Sequence, residues 1–176
     1  YGHQVGDHEC TEKGLRWYRL FLHFQDTWIE EQFEAQMRIS RCLMRLPNHN
    51  ENVDNIIMEM EKAIKIYSDR AEPYFFLGEY LSQVNLHELS YKYLKKAQNC
   101  SLEVAQQKYT LFVNVQTYNK NINDWLSVAC YWTNRVEEGK RLVEEVLGDE
   151  TFKNSFDHFN RNLELFNKLE KTLADA

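Results

Sequence analysis

Paired carboxylates are the residues of this chain whose type and spacing come closest to catalytic chemistry. They occur as Glu30 with Glu31, Glu137 with Glu138, and Glu144 with Glu145. A general acid and a general base must both face the reacting atoms. Adjacent residues of a helix point about 100° apart and do not face each other. We therefore interpret these pairs as solvated helix faces.

Sequence motifs for a metal, a nucleotide or a nucleophile are missing. There is no G-x-G-x-x-G, G-x-x-x-x-G-K, G-x-S-x-G or H-E-x-x-H, and no D-x-D. His8, Glu9 and Cys10 carry metal-ligating side chains, but they lie in a terminus that we expect to be frayed. We expect no catalytic residue, no cofactor and no metal in this chain.

Length and composition favour a single folded domain over residues 1–176. Six glycines and two prolines are too few for the many turns of an all-β sandwich or barrel. An apolar content of 43% argues against intrinsic disorder. The net charge of −6 argues against partners that need a cationic surface, namely nucleic acids and anionic membranes.

The compartment is predicted from the cysteines and from missing targeting signals. No apolar run approaches the ~18 residues of a membrane span, and no secretory signal is present. The four cysteines form no C-x-x-C pair, and Cys42 and Cys130 lie in helical apolar patterns, so we interpret these two as small buried hydrophobes. We expect a reducing, cytoplasmic location. Since the chain begins at Tyr1 rather than Met, we also expect a processed or excised product.

A helical repeat is clearest over residues 71–104. Small residues, Gly78 and Ser90, occur where two antiparallel helices would cross closely, and residues 84–87 suffice only for a tight turn. Large residues at helical spacing would fill the seam; they are Tyr74, Leu77, Leu81 and Leu94. The register recurs over residues 120–153, with Gly139 as a small residue and a turn at 133–135. The spacing of the two units places extra residues between Ser101 and Asn119.

The flanking segments are also predicted to be helical. Residues 28–46 and 53–67 form a further pair around a loop at 47–52. Residues 12–24 look like the second helix of an incomplete repeat, and residues 152–173 look like a closing helix with an apolar face.

These positions resemble the tetratricopeptide repeat (TPR). The resemblance implies an all-α, right-handed superhelix of antiparallel helix pairs, with about eight helices and a concave groove lined by the first helix of each pair. The groove positions are then Glu72, Phe75, Glu79 and Ser82 in the first repeat, and Asn121, Asp124, Val128 and Tyr131 in the second, with Trp125 and Trp132 one position further along.

Aromatic and acidic side chains in such a groove could hold an extended, preferably basic, peptide. The alternative is that Trp125 and Trp132 pack against a neighbouring repeat or domain. TPR domains that clamp an acidic chaperone C-terminus need Lys, Arg and Asn in the groove, whereas this chain has Glu72 and Glu79. That departure argues against a carboxylate clamp.

A more particular likeness is carried by residues 28–35, 69–78 and 123–133. These strings resemble helical-repeat regions that follow a family 2 glycosyltransferase domain in giant-virus and bacterial proteins. The resemblance implies an accessory module, covalently linked to a catalytic domain, that positions an acceptor; it assigns no catalytic role here. Within the second string, Asp69, Arg70 and Glu72 begin a helix, and we expect them to cap it and to form salt bridges between helices.

Three functions remain open from the sequence. We favour a non-catalytic interaction scaffold that binds a protein or peptide partner, and a groove filled by the chain's own side chains would argue against it. The second is the glycosyltransferase-associated module. The third is a structural protein that self-associates through apolar end faces.

Overall fold

The computed structural model describes the backbone of residues 2–24, 26–118, 120–148 and 156–175, and the side chains from residue 10 onward except that of residue 120. The helices are α1 (Gly2–Phe21), α2 (Ile29–Leu43), α3 (Val53–Ile66), α4 (Ala71–Gln83), α5 (His87–Gln98), α6 (Leu102–Lys108), α7 (Lys120–Trp132), α8 (Val136–Leu147) and α9 (Phe156–Ala174), with single 3₁₀ turns at His49–Asn52 and Val115–Tyr118.

The predicted all-α class is confirmed, and the described residues contain no strand. They form nine α-helices rather than about eight. The additional helix is α6, which lies in the stretch where the sequence placed extra residues. No helix in the described part of the chain combines the length and the apolarity that crossing a bilayer requires.

Consecutive helices pack in pairs. Helix α4 packs on α5, α2 on α3, and α7 on α8, while α1 packs against α2 and α9 against α8. The pairs are joined through α3 with α4 and through α7 with both α4 and α5.

Two apolar clusters form the core, and α4 contributes to both. The first cluster joins α1 to α4 and includes the fully buried side chains of Phe33, Ile56 and Met60. The second joins α4 to α9 and includes Leu94 and Phe166. Because α4 faces both clusters, it connects the two halves of the stack.

The two small residues predicted at a helix crossing lie at one. The Ser90 hydroxyl donates a hydrogen bond to the Gly78 carbonyl oxygen at 2.7 Å. A Cβ at Gly78 would lie 2.5 Å from Cγ of Leu94, far inside van der Waals contact. Helices α4 and α5 can therefore approach this closely only with glycine at position 78.

A second close approach joins α8 to α9. A Cβ at Gly139 would overlap the end of the Phe166 ring, which is buried. The predicted closing helix is present as α9, although residues 152–155 lie outside the described part of the chain. The buried rings of Phe159 and Phe166 thus link α9 to the preceding pair.

The two short interhelical turns each contain an asparagine in the left-handed region. The φ angles are 62° at Asn85, between α4 and α5, and 58° at Asn134, between α7 and α8. Asparagine adopts this conformation more readily than most side chains. The turns therefore have the residue type that their backbone needs.

We expect Asn85→Val to lower the free energy of unfolding by about 1–2 kcal/mol, because a β-branched side chain is strained at positive φ. Asn85→Gly is the matched control, since glycine adopts this φ without strain. Urea unfolding followed by far-UV circular dichroism would measure both. Equal losses for valine and glycine would mean that side-chain contacts of Asn85, and not its backbone conformation, matter.

Candidate functional site

The segment that connects α6 to α7 crosses the N-terminal ends of α2 and α4. We call its middle part, residues 110–116, the strap. The backbone N–H of Leu111 donates to a carboxylate oxygen of Glu30 at 2.6 Å, and that of Thr110 donates to the same carboxylate at 3.1 and 3.2 Å. Glu30 is the second residue of α2, so the first turn of that helix holds one end of the strap.

A buried guanidinium holds the strap from the other side. The Arg70 side chain is 0% exposed and donates to both carboxylate oxygens of Glu72, at 2.9 and 2.8 Å. It also donates to the carbonyl oxygens of Phe112 at 2.7 Å and Leu111 at 3.4 Å. Its guanidinium thus joins Glu72 to the strap backbone.

Aromatic rings enclose this guanidinium. Its central carbon lies 4.8 Å from the ring centroid of Phe33 and 5.0 Å from that of Tyr109. Such cation–π contacts are strongest where water is excluded. They compensate in part for the removal of the Arg70 charge from water.

The Glu72 carboxylate completes the network. It is 1% exposed and accepts hydrogen bonds from the backbone N–H of Asn114 at 2.9 Å and from the Tyr118 hydroxyl at 3.0 Å. The Tyr118 oxygen in turn accepts from the backbone N–H of Ala71 at 3.1 Å. Burial raises the pKa of Tyr118 above its ordinary value, so its hydroxyl remains a donor.

The expectation that Asp69, Arg70 and Glu72 cap α4 is wrong. Arg70 occupies the N-cap position and makes no side-chain capping bond. Asp69 instead accepts from the Lys108 ammonium at 2.6 Å and from the Tyr109 hydroxyl. The salt bridge between Asp69 and Lys108 joins the start of α4 to the end of α6, and it anchors the chain just before the strap.

This anchor predicts a pH dependence. Burial raises the pKa of Asp69, but the hydrogen bonds from Lys108 and Tyr109 outweigh it and hold that pKa below the ordinary value of 3.8. A carboxyl whose pKa is depressed on folding stabilises the fold above its unfolded pKa and loses that effect as pH falls through the folded pKa.

We therefore expect Asp69→Asn to unfold at lower urea concentration than the wild type at pH 7. The difference should shrink as pH falls below 3.8, and it should vanish only below the depressed pKa of the folded wild-type carboxyl, where that carboxyl is also protonated. Urea midpoints measured between pH 7 and pH 3 would test this. A difference that is independent of pH would mean that the carboxylate charge has no part in the anchor.

The first four predicted groove residues are mostly enclosed. Glu72, Phe75 and Ser82 are buried, and Glu72 is fully engaged by Arg70 and the strap. Glu79 is partly buried, and burial raises its pKa against the opposing effect of Arg41. In this half of the predicted groove, Glu72 is covered by the strap and Phe75 belongs to the second core cluster.

The other predicted residues lie on α7 and are more open. Asn121, Asp124, Trp125, Val128 and Tyr131 are partly buried, and Trp132 is 60% exposed. The structure brings Val128, Tyr131 and Trp132 together at the mouth of a cavity of about 150 Å³ between α7 and α9. Its remaining lining residues are Ser127, Asn162, Leu165 and Phe166.

The two tryptophans of α7 have different surroundings. Trp125 packs against the second core cluster, which is the alternative that the sequence left open for it. Trp132 stacks on the His87 ring, with centroids 5.2 Å apart and planes 10° from parallel. Asp124 lies 3.1 Å from the His158 ring nitrogen of α9. Trp132 is therefore the large aromatic of this site that faces solvent.

Sequence reasoning missed Glu30 and the strap. The cluster of Asp69, Arg70 and Glu72 was a visible signal, but nothing in the residue pattern connects it to Glu30 or to residues 110–116.

His8 and Glu9 belong to the residues whose side chains are not described. Among the described side chains, no three of His, Cys, Asp or Glu converge where they could hold a metal ion.

Comparison with other proteins gives no relative. No family model, no curated protein and no solved structure matches this chain at a significant level.

Proposed function

We propose that this chain is a non-catalytic interaction scaffold, a TPR-like right-handed superhelix that binds a peptide or partner protein. The observation that carries the proposal is the cavity between α7 and α9, at whose mouth lie three of the residues predicted to face a groove. The partner contributes one large apolar side chain to this cavity.

The size and lining of the cavity support such an anchor. A cavity of about 150 Å³ accommodates a benzene ring, which is the size of a phenylalanine side chain. Most of its lining is apolar, with Ser127 and Asn162 as polar neighbours. Trp132, at the rim, is the residue type most enriched among energetically dominant interface residues. The net charge of −6 favours a partner with basic flanking residues.

Selection from a random peptide library displayed on phage tests the proposal. We expect enriched peptides to share one large apolar residue with basic flanks. Trp132→Ala and Val128→Lys should each weaken binding of a selected peptide about tenfold or more. Trp17→Ala is the matched control, because Trp17 is 69% exposed on α1, far from the cavity.

Two results would contradict the proposal. One is a selection that enriches no such peptide. The other is a selected peptide whose affinity is reduced as much by Trp17→Ala as by Trp132→Ala. Melting curves for each variant separate lost binding from lost folding.

A second candidate is the accessory module of a glycosyltransferase. The three strings that carry this resemblance fall on α2, α4 and α7, and the strap is bonded to the first two of these helices. The mass of the native gene product, by immunoblot and mass spectrometry, tests it. A product larger by ~25 kDa or more should lose sugar-transfer activity when residues 1–176 are deleted, and a product near 21.2 kDa would exclude the covalent module.

We also propose a reducing, cytoplasmic location. All four cysteines are free thiols, and Cys130 is fully buried. Burial raises the pKa of the Cys130 thiol to about 12, so it behaves as a small apolar residue.

A further inference from the structure

We propose that the face formed by Glu30, Arg70 and Glu72 is a second binding site, which takes a peptide segment through its backbone. In the present structure the strap occupies this site as a tethered ligand. A partner's segment binds by displacing it. The site is separate from the cavity between α7 and α9, and its occupant follows from the chemistry of the contacts.

Every polar contact from Glu30 and Arg70 to the strap is made to its main chain. Glu30 accepts from two consecutive backbone N–H groups, and Arg70 donates to two consecutive backbone carbonyls. Glu72 accepts from a third backbone N–H, that of Asn114. These contacts involve the backbone of the strap and none of its side chains, so a segment of different sequence that adopts the same bend can make them.

The buried charges beneath the strap lower the free energy that is needed to release it. Burying ionised groups carries a desolvation penalty that the ion pair only partly offsets. When the strap leaves, Glu30, Arg70 and Glu72 are hydrated again. The open state is then free of the desolvation penalty that the closed state carries. An apolar anchor would instead lose its stabilisation on exposure. The closed state is therefore weaker than its number of hydrogen bonds suggests.

The strap itself has little apolar burial and some strain. None of residues 110–116 is buried, whereas Tyr109 and Thr117 on either side are. Phe112 has φ 61°, an unfavourable conformation for a bulky residue, and its ring is 47% exposed. Segments with few apolar contacts open at low free energy. We infer that the strap opens between two fixed ends while the helices stay folded.

Hydrogen exchange of the intact protein is the first test. We expect the amides of Leu111 and Asn114 to exchange at least about tenfold faster than those of α4 and α5, through an opening that does not involve unfolding. Exchange of the strap amides at the rate of the slowest core amides would overturn the proposal.

Binding in trans is the second test. The probe is a labelled synthetic peptide with the sequence of the strap, residues 110–116, titrated by fluorescence anisotropy. The receptor is the full chain with Leu111→Pro and Asn114→Pro, since proline removes the N–H groups that Glu30 and Glu72 accept. A short tether competes at an effective concentration on the order of millimolar, so this variant should bind the probe about tenfold more tightly than the wild type.

Two controls make this result specific. A probe N-methylated at the positions of Leu111 and Asn114 should not bind, and Glu30→Gln in the proline variant should weaken binding of the unmodified probe. No binding to the folded proline variant, or equal binding of the N-methylated probe, would overturn the proposal. If circular dichroism shows that the proline variant is unfolded, the exchange experiment on the intact protein decides.

Discussion

Replacing Phe166 with alanine is expected to lower the free energy of unfolding by about 3–5 kcal/mol, the range for a fully buried phenylalanine. The ring lies against Gly139 of α8, and its centroid is 5.7 Å from that of Tyr131 on α7. Its removal would leave a void where three helices meet. Urea unfolding followed by far-UV circular dichroism measures the loss.

The neighbouring leucine is the matched control for this prediction. Leu165 precedes Phe166 on α9 but is largely exposed, so Leu165→Ala should have a small effect. In addition, Gly139→Ala should be tolerated in the Phe166→Ala background, where the added methyl group has room. Equal losses for Leu165→Ala and Phe166→Ala would show that α9 is not held by this ring.

The second large effect is expected at the crossing of α4 and α5. Leu94→Ala should lower the free energy of unfolding by about 2–5 kcal/mol, because Leu94 is fully buried against Gly78. Gly78→Ala alone should cost about 1–3 kcal/mol through overpacking, partly offset by the higher helix propensity of alanine.

Combining the two substitutions tests their contact. With Leu94 reduced to alanine, the two side-chain atoms that clash with the methyl group are removed and the backbone nitrogen of residue 94 remains 3.3 Å from it, so Gly78→Ala should cost less in that background than in the wild type. Such non-additivity is expected of residues in contact. Leu89→Ala, at a more exposed position of α5, is the control for α5. Strict additivity of Gly78→Ala and Leu94→Ala would contradict the packing described here.

The periodic part of the fold could be predicted from the sequence. The crossing at Gly78 and Ser90 followed from residue size at repeat positions, and the turns at 84–87 and 133–135 followed from the number of residues available. The position of the stretched connection followed from the spacing of the two units. In each case a side-chain pattern of period 3.6 determines the structure.

The strap could not be predicted, because its structure does not depend on such a pattern. Its main contacts are made by backbone groups, which every sequence has, and its partner Glu30 is 81 residues away from Leu111. Glu30 belongs to one of the carboxylate pairs that the sequence assigns to solvated helix faces. The structure shows it buried, with its charge compensated by two amide donors instead of by a basic side chain.

Some of the predicted binding residues lie at an open cavity, and others are buried. Val128, Tyr131 and Trp132 meet at one cavity because helical spacing places them on one face of α7. Glu72 and Phe75 are on the corresponding face of α4, but the chain itself covers them. Spacing along a helix thus predicted which residues share a face, whereas the burial of Glu72 depends on the course of an irregular segment.

The strap also bears on the order in which the chain folds. In a stack of helix pairs most contacts are local in sequence, and such contacts form quickly. The bonds from Glu30 to residues 110 and 111 close a loop of about eighty residues, and they need the helices within that loop already in place. Strap closure is therefore a late event that follows assembly of the helices. Mutations there would change the rate of unfolding and leave the rate of folding nearly unaltered.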